Sequence, residues 1–273
     1  MKIALLAPLR YPIREPFHGG LEMHTHLLAR ELTTRGHEVT LFAHPRSAPE
    51  FRLKAQALPA RAGFLGTALT YRKAIREIAA GHFDVVHNNS IHFLPPLLTA
   101  TLDCPVITTL NTPPYRSLRW AGRLVRSKRH RFVSISHHLH DTWQPYVGTH
   151  EVIHNGLDLS TWPFSEAVEE NTAVWYGRFS PEKGAEYAIA AAREANLNLS
   201  LAGPIYDQNY FDREITPRLD DGIQYVGHLD QAALATLVGR SEVGIVTSIW
   251  DEPFGLVYAE MLACGTPVAA FVS

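Results

Sequence analysis

Short apolar segments alternate with helical segments along the whole chain, and this alternation constrains the fold more than any other feature. Short apolar strands separated by helices are typical of parallel sheets that are covered on both faces. Helices are predicted from about Leu21 and over 185–195, 230–238 and 256–263. Strands are predicted at 3–7, 38–43, 84–87, 106–110 and 131–136 in the first half, and at 173–176, 199–202, 223–226, 243–247 and 268–271 in the second. The two series predict an α/β protein with two doubly wound, Rossmann-like domains.

The join between the two series is polar and acidic. It falls in the segment HNGLDLSTWPF, and the acidic stretch 165–171 follows it. We predict an N-terminal domain over 1–155, a linker over 156–171 and a C-terminal domain over 172–273. The sequence ends directly after a predicted strand, where a doubly wound domain normally continues with a helix. We therefore expect the C-terminal domain to be truncated.

Charge is divided unequally between the two halves. Residues 1–150 contain 19 Lys and Arg against 9 Asp and Glu, whereas residues 151–273 contain 6 against 18. The halves therefore carry net charges of +10 and −12, and the whole chain carries −2. A near-neutral total argues against a nucleic-acid partner. The asymmetry indicates two domains with separate tasks, although drift in surface composition would produce the same pattern.

The cysteines and the apolar segments indicate the compartment. Cys104 and Cys264 are the two cysteines, and they are too few for a disulfide framework. No apolar segment approaches the roughly 18 residues that a membrane-spanning helix needs. Pro8 interrupts the first apolar segment too early for a signal peptide. We expect a cytoplasmic protein in a reducing compartment.

Two glycines precede the first helix. Gly19 and Gly20 allow a ligand to approach the backbone closely, and the start of a helix offers free N–H groups that suit phosphate. A simple hinge in the loop is the plainer interpretation of these two residues alone. The sequence contains neither GxGxxG nor GxxxxGK[ST], which argues against a nicotinamide, flavin or P-loop site.

The loop after the predicted strand 173–176 carries two cations. Arg178 and Lys183 lie between Gly177 and Gly184 in the segment GRFSPEKG. Cations on such a turn can converge on a diphosphate, which Arg grips as a fork and Lys as a point charge. Two solvated loop cations are the alternative. The second half contains only six cations, and the presence of two of them in this loop favours a diphosphate-binding site.

The loop after the predicted strand 243–247 carries two carboxylates. Glu252 lies in the loop and Glu260 lies inside the helix that follows. Carboxylates accept hydrogen bonds from sugar hydroxyls, and the residues at the helix start offer backbone N–H groups. A helix-start acid and a surface charge are the plainer interpretations of each residue alone. Glu260, however, interrupts the apolar segment LVYAEMLA, which predicts burial and a specific partner.

Four segments together resemble one family. EPFGLVYAEMLACGTPV, with its two glutamates, resembles the signature of retaining glycosyltransferases of family 4, which have the GT-B fold. GRFSPEKG resembles the diphosphate loop of that family, and HGGLEMHTHLLARELTTRGHEVTLF resembles its N-terminal Gly-Gly helix unit. VIHNGLDLSTW resembles the family's segment between the domains. The resemblance covers nearly the whole chain.

The resemblance implies an activity. It implies transfer of a sugar, with retention, from a nucleotide-diphosphate sugar to an acceptor hydroxyl, without a metal ion and without a cofactor other than the donor substrate. We expect the donor to be a UDP- or GDP-sugar. No carboxylate is an obvious nucleophile in the sequence, which favours front-face attack. A truncated, catalytically inactive nucleotide-sugar-binding protein is the alternative.

The resemblance also implies roles for single residues. The catalytic set is Arg178 and Lys183, which neutralise the diphosphate, and Glu252, which contacts the hydroxyls of the donor sugar. The implied donor-binding residues are Gly19, Gly20, Asn111, Phe254, Gly255, Leu256 and Glu260. Among them Gly20 packs against the diphosphate and Glu260 binds the ribose. Asn111 stands where many members have His, and an Asn can bind a sugar hydroxyl but cannot titrate.

A basic stretch and several histidines lie outside these segments. Residues 116–131 contain seven cations with interleaved apolar residues. The stretch is a candidate for peripheral contact with an anionic membrane or for binding an anionic or lipid-linked acceptor. A helix that packs its apolar face and leaves its basic face in solvent is the simpler interpretation. No His or Cys spacing indicates zinc, and we interpret the histidines as surface or capping residues.

Overall fold

The computed structural model describes residues 1–59 and 63–271, and the chain folds into two compact units, Met1–Asn155 and the part from Gly156 onward. Each unit contains one sheet, and the paired strands of the described residues run parallel. The α/β class predicted from the alternation of apolar strands and helices is confirmed.

The first unit contains a seven-stranded sheet in the order β3-β2-β1-β4-β5-β6-β7. Its strands are β1 Lys2–Leu6, β2 Glu38–Ala43, β3 Arg52–Ala55, β4 Val85–Asn88, β5 Val106–Leu110, β6 His130–Ser134 and β7 Glu151–Val152. Its helices are α1 Gly20–Thr34, α2 Phe64–Ala80, α3 Leu94–Thr99, α4 Arg116–Leu124 and α5 His137–Val147. Each strand predicted in this half is present within two residues of the predicted bounds, whereas β3, β7, α2 and α3 were not predicted.

The second unit contains a five-stranded sheet in the order β10-β9-β8-β11-β12. Its strands are β8 Glu169–Tyr176, β9 Asn198–Ala202, β10 Ile223–Gly227, β11 Ser241–Val246 and β12 Val268–Ala270. Its helices are α6 Ala185–Glu194, the short α7 Gln208–Tyr210, α8 Gln231–Arg240 and α9 Leu256–Ala263, and a 3-10 turn spans Pro181–Lys183. Two further short helical turns follow α7, at Phe211–Ile215 and Thr216–Arg218.

The range 156–171 does not form a free connector. Trp162 is only 2% exposed and packs in the core of the second unit, and the Ser165 amide donates to the Cys264 carbonyl at 3.0 Å. Strand β8 already begins at Glu169. The polar composition of this segment concealed a buried Trp, whose large apolar surface stabilises the packed arrangement.

Both faces of each sheet are buried, because successive side chains of a strand point to opposite faces. In β1, Ile3 and Leu5 pack in one cluster, whereas Ala4 and Leu6 pack in another. In β8, Trp175 packs in the cluster that includes α6 residues. The two neighbours of Trp175 in sequence, Val174 and Tyr176, face α8 and α9 instead. This alternation places the Tyr176 side chain beside α9.

Candidate functional site

The loops that follow β8 and β11 lie side by side in the second unit. The two strands pair in parallel, so their carboxyl ends meet at one edge of the sheet, where open α/β sheets bind ligands. The Thr247 hydroxyl donates to the Gly184 carbonyl at 2.7 Å, and the Trp175 indole donates to that hydroxyl at 3.2 Å. The Ile249 amide donates to the Glu182 carbonyl at 3.0 Å. These bonds hold the predicted diphosphate loop against the loop that carries Glu252.

Gly184 permits the close approach of the two loops. Its φ of +62° lies in the left-handed region, and it caps the start of α6. A Cβ at this position would lie 2.4 Å from the Thr247 carbonyl oxygen. Glycine is therefore required here both by the backbone conformation and by the space between the loops.

Lys183 and Glu252 form an ion pair at this edge. The Lys183 ammonium donates to Oε1 of Glu252, and each side chain is 18% exposed. The Ser248 hydroxyl donates to the same oxygen at 2.7 Å. The ammonium also lies 5.6 Å from the centre of the Trp250 ring, within cation–π range. Ser248 and Trp250 were not predicted as site residues, although both belong to the loop that carries Glu252.

The ion pair keeps Glu252 charged. Burial alone would raise the pKa of this carboxyl group. The charge and hydrogen bond of Lys183, together with the Ser248 hydroxyl, outweigh burial and hold the pKa below its usual value. A carboxylate in this state accepts hydrogen bonds at neutral pH.

Arg178 lies in the same loop but has different partners. Its guanidinium lies 3.8 Å from the Glu182 carboxylate and 5.3 Å from the centre of the Tyr206 ring. The structure thus places the two predicted cations on one loop, where Lys183 pairs with Glu252 and Arg178 pairs with Glu182. About one third of the Arg178 side chain is exposed, so its planar fork remains accessible to a ligand.

The start of α9 follows the Glu252 loop directly. Gly255 caps the helix with a φ of +78°, Leu256 is its first residue and Phe254 precedes the cap. The first amides of a helix lack intrahelical acceptors and attract negative charge. The three predicted backbone donors therefore lie at a helix start, two to four residues after Glu252.

Glu260 is buried inside α9, as the apolar sequence around it predicted. It is 6% exposed, and the Tyr176 hydroxyl donates to its Oε2 at 2.8 Å. Burial raises the pKa of Glu260 to about 7, although the hydrogen bond from Tyr176 lowers it. Tyr176 was not predicted as a site residue. Its position at the end of a predicted strand, on the face opposite Trp175, was the available signal.

The remaining predicted site residues lie in the first unit. Gly19 caps α1 and Gly20 is its first residue. The φ of Gly19 is −176°, which any residue adopts, so its backbone conformation does not require glycine. The Asn111 amide group follows β5 and donates to Asn89 Oδ1 at 2.8 Å and to the Thr109 carbonyl at 3.2 Å.

Two histidines, His24 and His87, are held away from solvent in the first unit. The His87 ring contacts the Thr109 hydroxyl at 2.7 Å, and burial, followed by the positive charge of His24, lowers the pKa of His87 to about 4. Burial also lowers the pKa of His24. Burial disfavours the charged imidazolium of both side chains, because the charged ring would lose its hydration. The prediction of a surface or capping role was wrong for His24, whereas His87 lies at the end of a predicted strand.

The basic stretch forms a packed helix with an exposed apolar flank. Helix α4 buries Leu118 and Ala121, which agrees with the simpler interpretation. Trp120, however, is 66% exposed, and Leu124 is also exposed. The guanidinium of Arg123 lies 4.9 Å from the centre of the Tyr146 ring. The helix therefore presents an aromatic side chain and cations on its outer surface.

Two searches of the described residues bear on metals and membranes. No group of three or more His, Cys, Asp or Glu side chains is arranged to hold a metal ion within residues 1–59 and 63–271. Across the same residues, no helix combines the length and apolar character needed to cross a bilayer.

Comparison with solved structures gives the fold. The chain matches the HepE protein of Anabaena, solved in complex with UDP and glucose, with a TM-score of 0.76 over 99% of this chain and 80% of that one, at 19% identity. It matches the catalytic domain of starch synthase IV from Arabidopsis thaliana, bound to ADP and acarbose, with a TM-score of 0.69 over 98% of this chain and 82% of that one, at 14% identity. The predicted two-domain GT-B architecture is confirmed.

Comparison by sequence gives the family. A phosphatidyl-myo-inositol mannosyltransferase of Propionibacterium freudenreichii is 29% identical over 99% of this chain and 77% of its own length. A glycogen synthase of Mycobacterium tuberculosis is 26% identical over 92% and 73%. The model of Glycosyltransferase Family 4 matches residues 18–161, and that of Glycosyl transferases group 1 matches residues 160–272. The chain is therefore a glycosyltransferase and belongs to glycosyltransferase family 4.

Proposed function

We propose that this glycosyltransferase moves a sugar, with retention, from a UDP- or GDP-sugar to an acceptor hydroxyl. The observation that carries the proposal is the Lys183–Glu252 pair, which lies at the carboxyl edge of the second sheet directly before the start of α9. A diphosphate and a sugar joined to each other need a cation and a hydrogen-bond acceptor in adjacent positions, and the pair supplies both. The UDP and ADP found in two structural neighbours support a nucleotide donor.

The proposed roles follow from the chemistry of each side chain. Arg178 and Lys183 neutralise the diphosphate as it leaves, and the first amides of α9 add partial positive charge. Glu252 accepts hydrogen bonds from the donor sugar, and Glu260 accepts them from the nucleotide ribose. When the diphosphate contacts Lys183, the ammonium shares its hydrogens between Glu252 and the phosphate. We propose that these groups act without a metal ion.

Retention is proposed to proceed by front-face attack. The Oε1 atom of Glu252 already accepts hydrogen bonds from Lys183 and Ser248, which suits a binding group better than a nucleophile. Positive charge on the sugar in an oxocarbenium-like transition state is balanced by the departing diphosphate, which Arg178 and Lys183 hold next to it.

Nucleotide binding in the presence of EDTA tests this proposal. Thermal unfolding of the full chain is measured with UDP-, GDP-, ADP- and dTDP-sugars, and one of them is expected to raise the melting temperature by several degrees. Arg178→Ala is expected to weaken that binding at least about tenfold, because a charge-assisted hydrogen bond to phosphate is lost. Arg193→Ala is the matched control, because Arg193 pairs with the exposed Asp220 at 2.7 Å.

The outcomes separate the candidate functions. Binding together with transfer to a hydroxyl acceptor supports the enzyme. Binding without transfer to any acceptor indicates the catalytically inactive nucleotide-sugar-binding protein. If no nucleotide binds, or if binding needs a divalent ion, the proposed metal-free donor site is contradicted.

We further propose that the first unit contacts an anionic surface, either a membrane or a lipid-linked acceptor, through residues 116–131. The exposed Trp120 on α4 and the cations around it carry this proposal. Trp120→Ser is expected to weaken co-sedimentation with phosphatidylcholine–phosphatidylglycerol vesicles about tenfold, because a large apolar side chain no longer leaves water. Leu159→Ser, at another exposed apolar residue, is expected to have little effect.

Salt and lipid charge provide the decisive controls for the surface. Binding is expected to fall at 0.5 M NaCl and with phosphatidylcholine alone, because the attraction to anionic lipid is electrostatic. Equal binding to neutral and anionic vesicles would contradict the proposal. If the KM for the acceptor changes neither with added salt nor with the charge of the acceptor, the proposal of an anionic acceptor is contradicted.

A further inference from the structure

The Glu260 carboxylate is held by the protein at one oxygen. Oε2 accepts the hydrogen bond from the Tyr176 hydroxyl at 2.8 Å. Oε1 accepts no hydrogen bond from any residue that the structure describes, although Glu260 is 6% exposed. The second oxygen therefore has capacity for a donor that the protein does not supply.

Tyr176 is itself held firmly. It is the last residue of β8, and its ring lies nearly parallel to that of the buried Trp162, with 6.3 Å between ring centres and 19° between the planes. Its hydroxyl also lies 3.2 Å from the Val257 carbonyl in the first turn of α9. The phenol thus connects the end of a central strand to the start of the helix that carries Glu260, which fixes the orientation of the carboxylate.

We propose that Tyr176 is a positioning residue of the donor site, holding Oε2 of Glu260 so that Oε1 accepts a hydrogen bond from the ribose of the nucleotide. This inference rests on the proposed function, in which Glu260 contacts the ribose. Tyr176 touches no substrate in this arrangement and acts through Glu260. Its removal therefore weakens recognition of the ribose hydroxyls and leaves recognition of the diphosphate intact.

The same hydrogen bond sets the pH range of donor binding. Burial raises the pKa of Glu260 to about 7, and the bond from Tyr176 opposes this rise by favouring the ionised form. Among residues 1–59 and 63–271, the other titratable group that interacts with Glu260 is the Cys264 thiol, at the C-terminal cap of α9. Burial, followed by the charge of Glu260, raises the pKa of both Tyr176 and Cys264 above their usual values, so neither loses its proton near neutral pH.

The direction of the pH effect follows from these groups. The ionised carboxylate is the form that accepts hydrogen bonds at both oxygens, so affinity for the nucleotide falls as the pH drops through the pKa of Glu260. Without the Tyr176 hydroxyl that pKa rises, and the loss of affinity begins at a higher pH. A role for Tyr176 in stability alone would leave the pH dependence unchanged.

Calorimetric titration of the full chain tests the inference. UDP, GDP and ADP, and their 2′,3′-dideoxy counterparts, are titrated into the wild type and Tyr176→Phe between pH 6 and pH 9. The variant is expected to bind the best ribonucleotide about tenfold more weakly at pH 7, since a hydrogen bond to a charged group is lost. The loss should shrink toward pH 9, and the dideoxy nucleotide should bind equally to both proteins.

Two further variants separate positioning from packing. Tyr225→Phe removes a hydroxyl that donates to the Gly203 carbonyl at 2.9 Å in the same unit, and it controls for loss of stability. In a Glu260→Gln background, Tyr176→Phe is expected to cause no further loss, because a residue that acts through Glu260 has nothing left to position.

The results distinguish the inference from the proposed function. If the wild type binds ribonucleotides and Tyr176→Phe matches it at every pH, or weakens ribose and dideoxy forms equally, the inference is overturned and the donor site stands. If the wild type binds none of the three nucleotides, the proposed function fails and the inference fails with it.

Discussion

Lys183→Ala is expected to lower kcat/KM for sugar transfer by about two to three orders of magnitude. Loss of one group that stabilises developing charge in a transition state typically costs about 3–4 kcal/mol. Lys183 is suited to that role because its ammonium pairs with Glu252 and lies 5.6 Å from the centre of the Trp250 ring. Steady-state kinetics with a saturating acceptor measure the effect.

The same substitution leaves the largely buried Glu252 without its ion pair, and this consequence needs its own control. The pKa of Glu252 is expected to rise, and the free energy of unfolding to fall by about 1–3 kcal/mol. Glu252→Gln in the Lys183→Ala background removes the unpaired charge, so stability should recover while transfer stays low. Near-normal kcat/KM for Lys183→Ala would remove Lys183 from the mechanism.

Gly184→Ala is expected to destabilise the second unit by about 3 kcal/mol. An Ala in the left-handed region costs about 1 kcal/mol, and the remainder comes from the approach of its Cβ to the Thr247 carbonyl, 2.4 Å away in the present geometry. Relief of that clash must separate the two loops, so kcat/KM is expected to fall as well. Urea unfolding and transfer kinetics measure the two effects.

Gly227→Ala is the matched control for the clash. Gly227 also has a positive φ, +94°, but a Cβ there would meet no atom within 4 Å. Only the conformational term should therefore appear, about 1 kcal/mol, with transfer retained. Equal destabilisation by the two substitutions would show that the loop contact at Gly184 contributes nothing.

The sequence predicted the fold where the physical signal is local. Buried parallel strands are continuous apolar segments, and β2 and β5 lie within the bounds that their apolar residues predicted. The prediction missed β3, an exposed strand at the sheet edge, because it lacks an apolar segment. Helix α2, which was also not predicted, buries Tyr71, Ala74, Ile75 and Ile78, and this helical spacing is present in the sequence.

The candidate site shows a similar division. Short motifs predict which residue types occupy the site and which loops carry them. The apolar context of α9 predicts the burial of Glu260. The sequence does not predict which side chains these residues contact. Glu252 is 69 residues from Lys183 in the chain, and Glu260 is 84 residues from Tyr176. No local pattern connects positions so far apart.

By itself, the sequence determined two parallel α/β units, the loops that carry charge and the family to which the chain belongs. The tertiary structure decided which charged side chains contact each other. Parallel pairing of β8 with β11 brings their following loops to one edge, and the close approach at Gly184 joins Lys183 to Glu252. Alternation along β8 turns Tyr176 toward α9 and Glu260. Such contacts depend on strand register and on the packing of helices across a sheet, which only the folded chain defines.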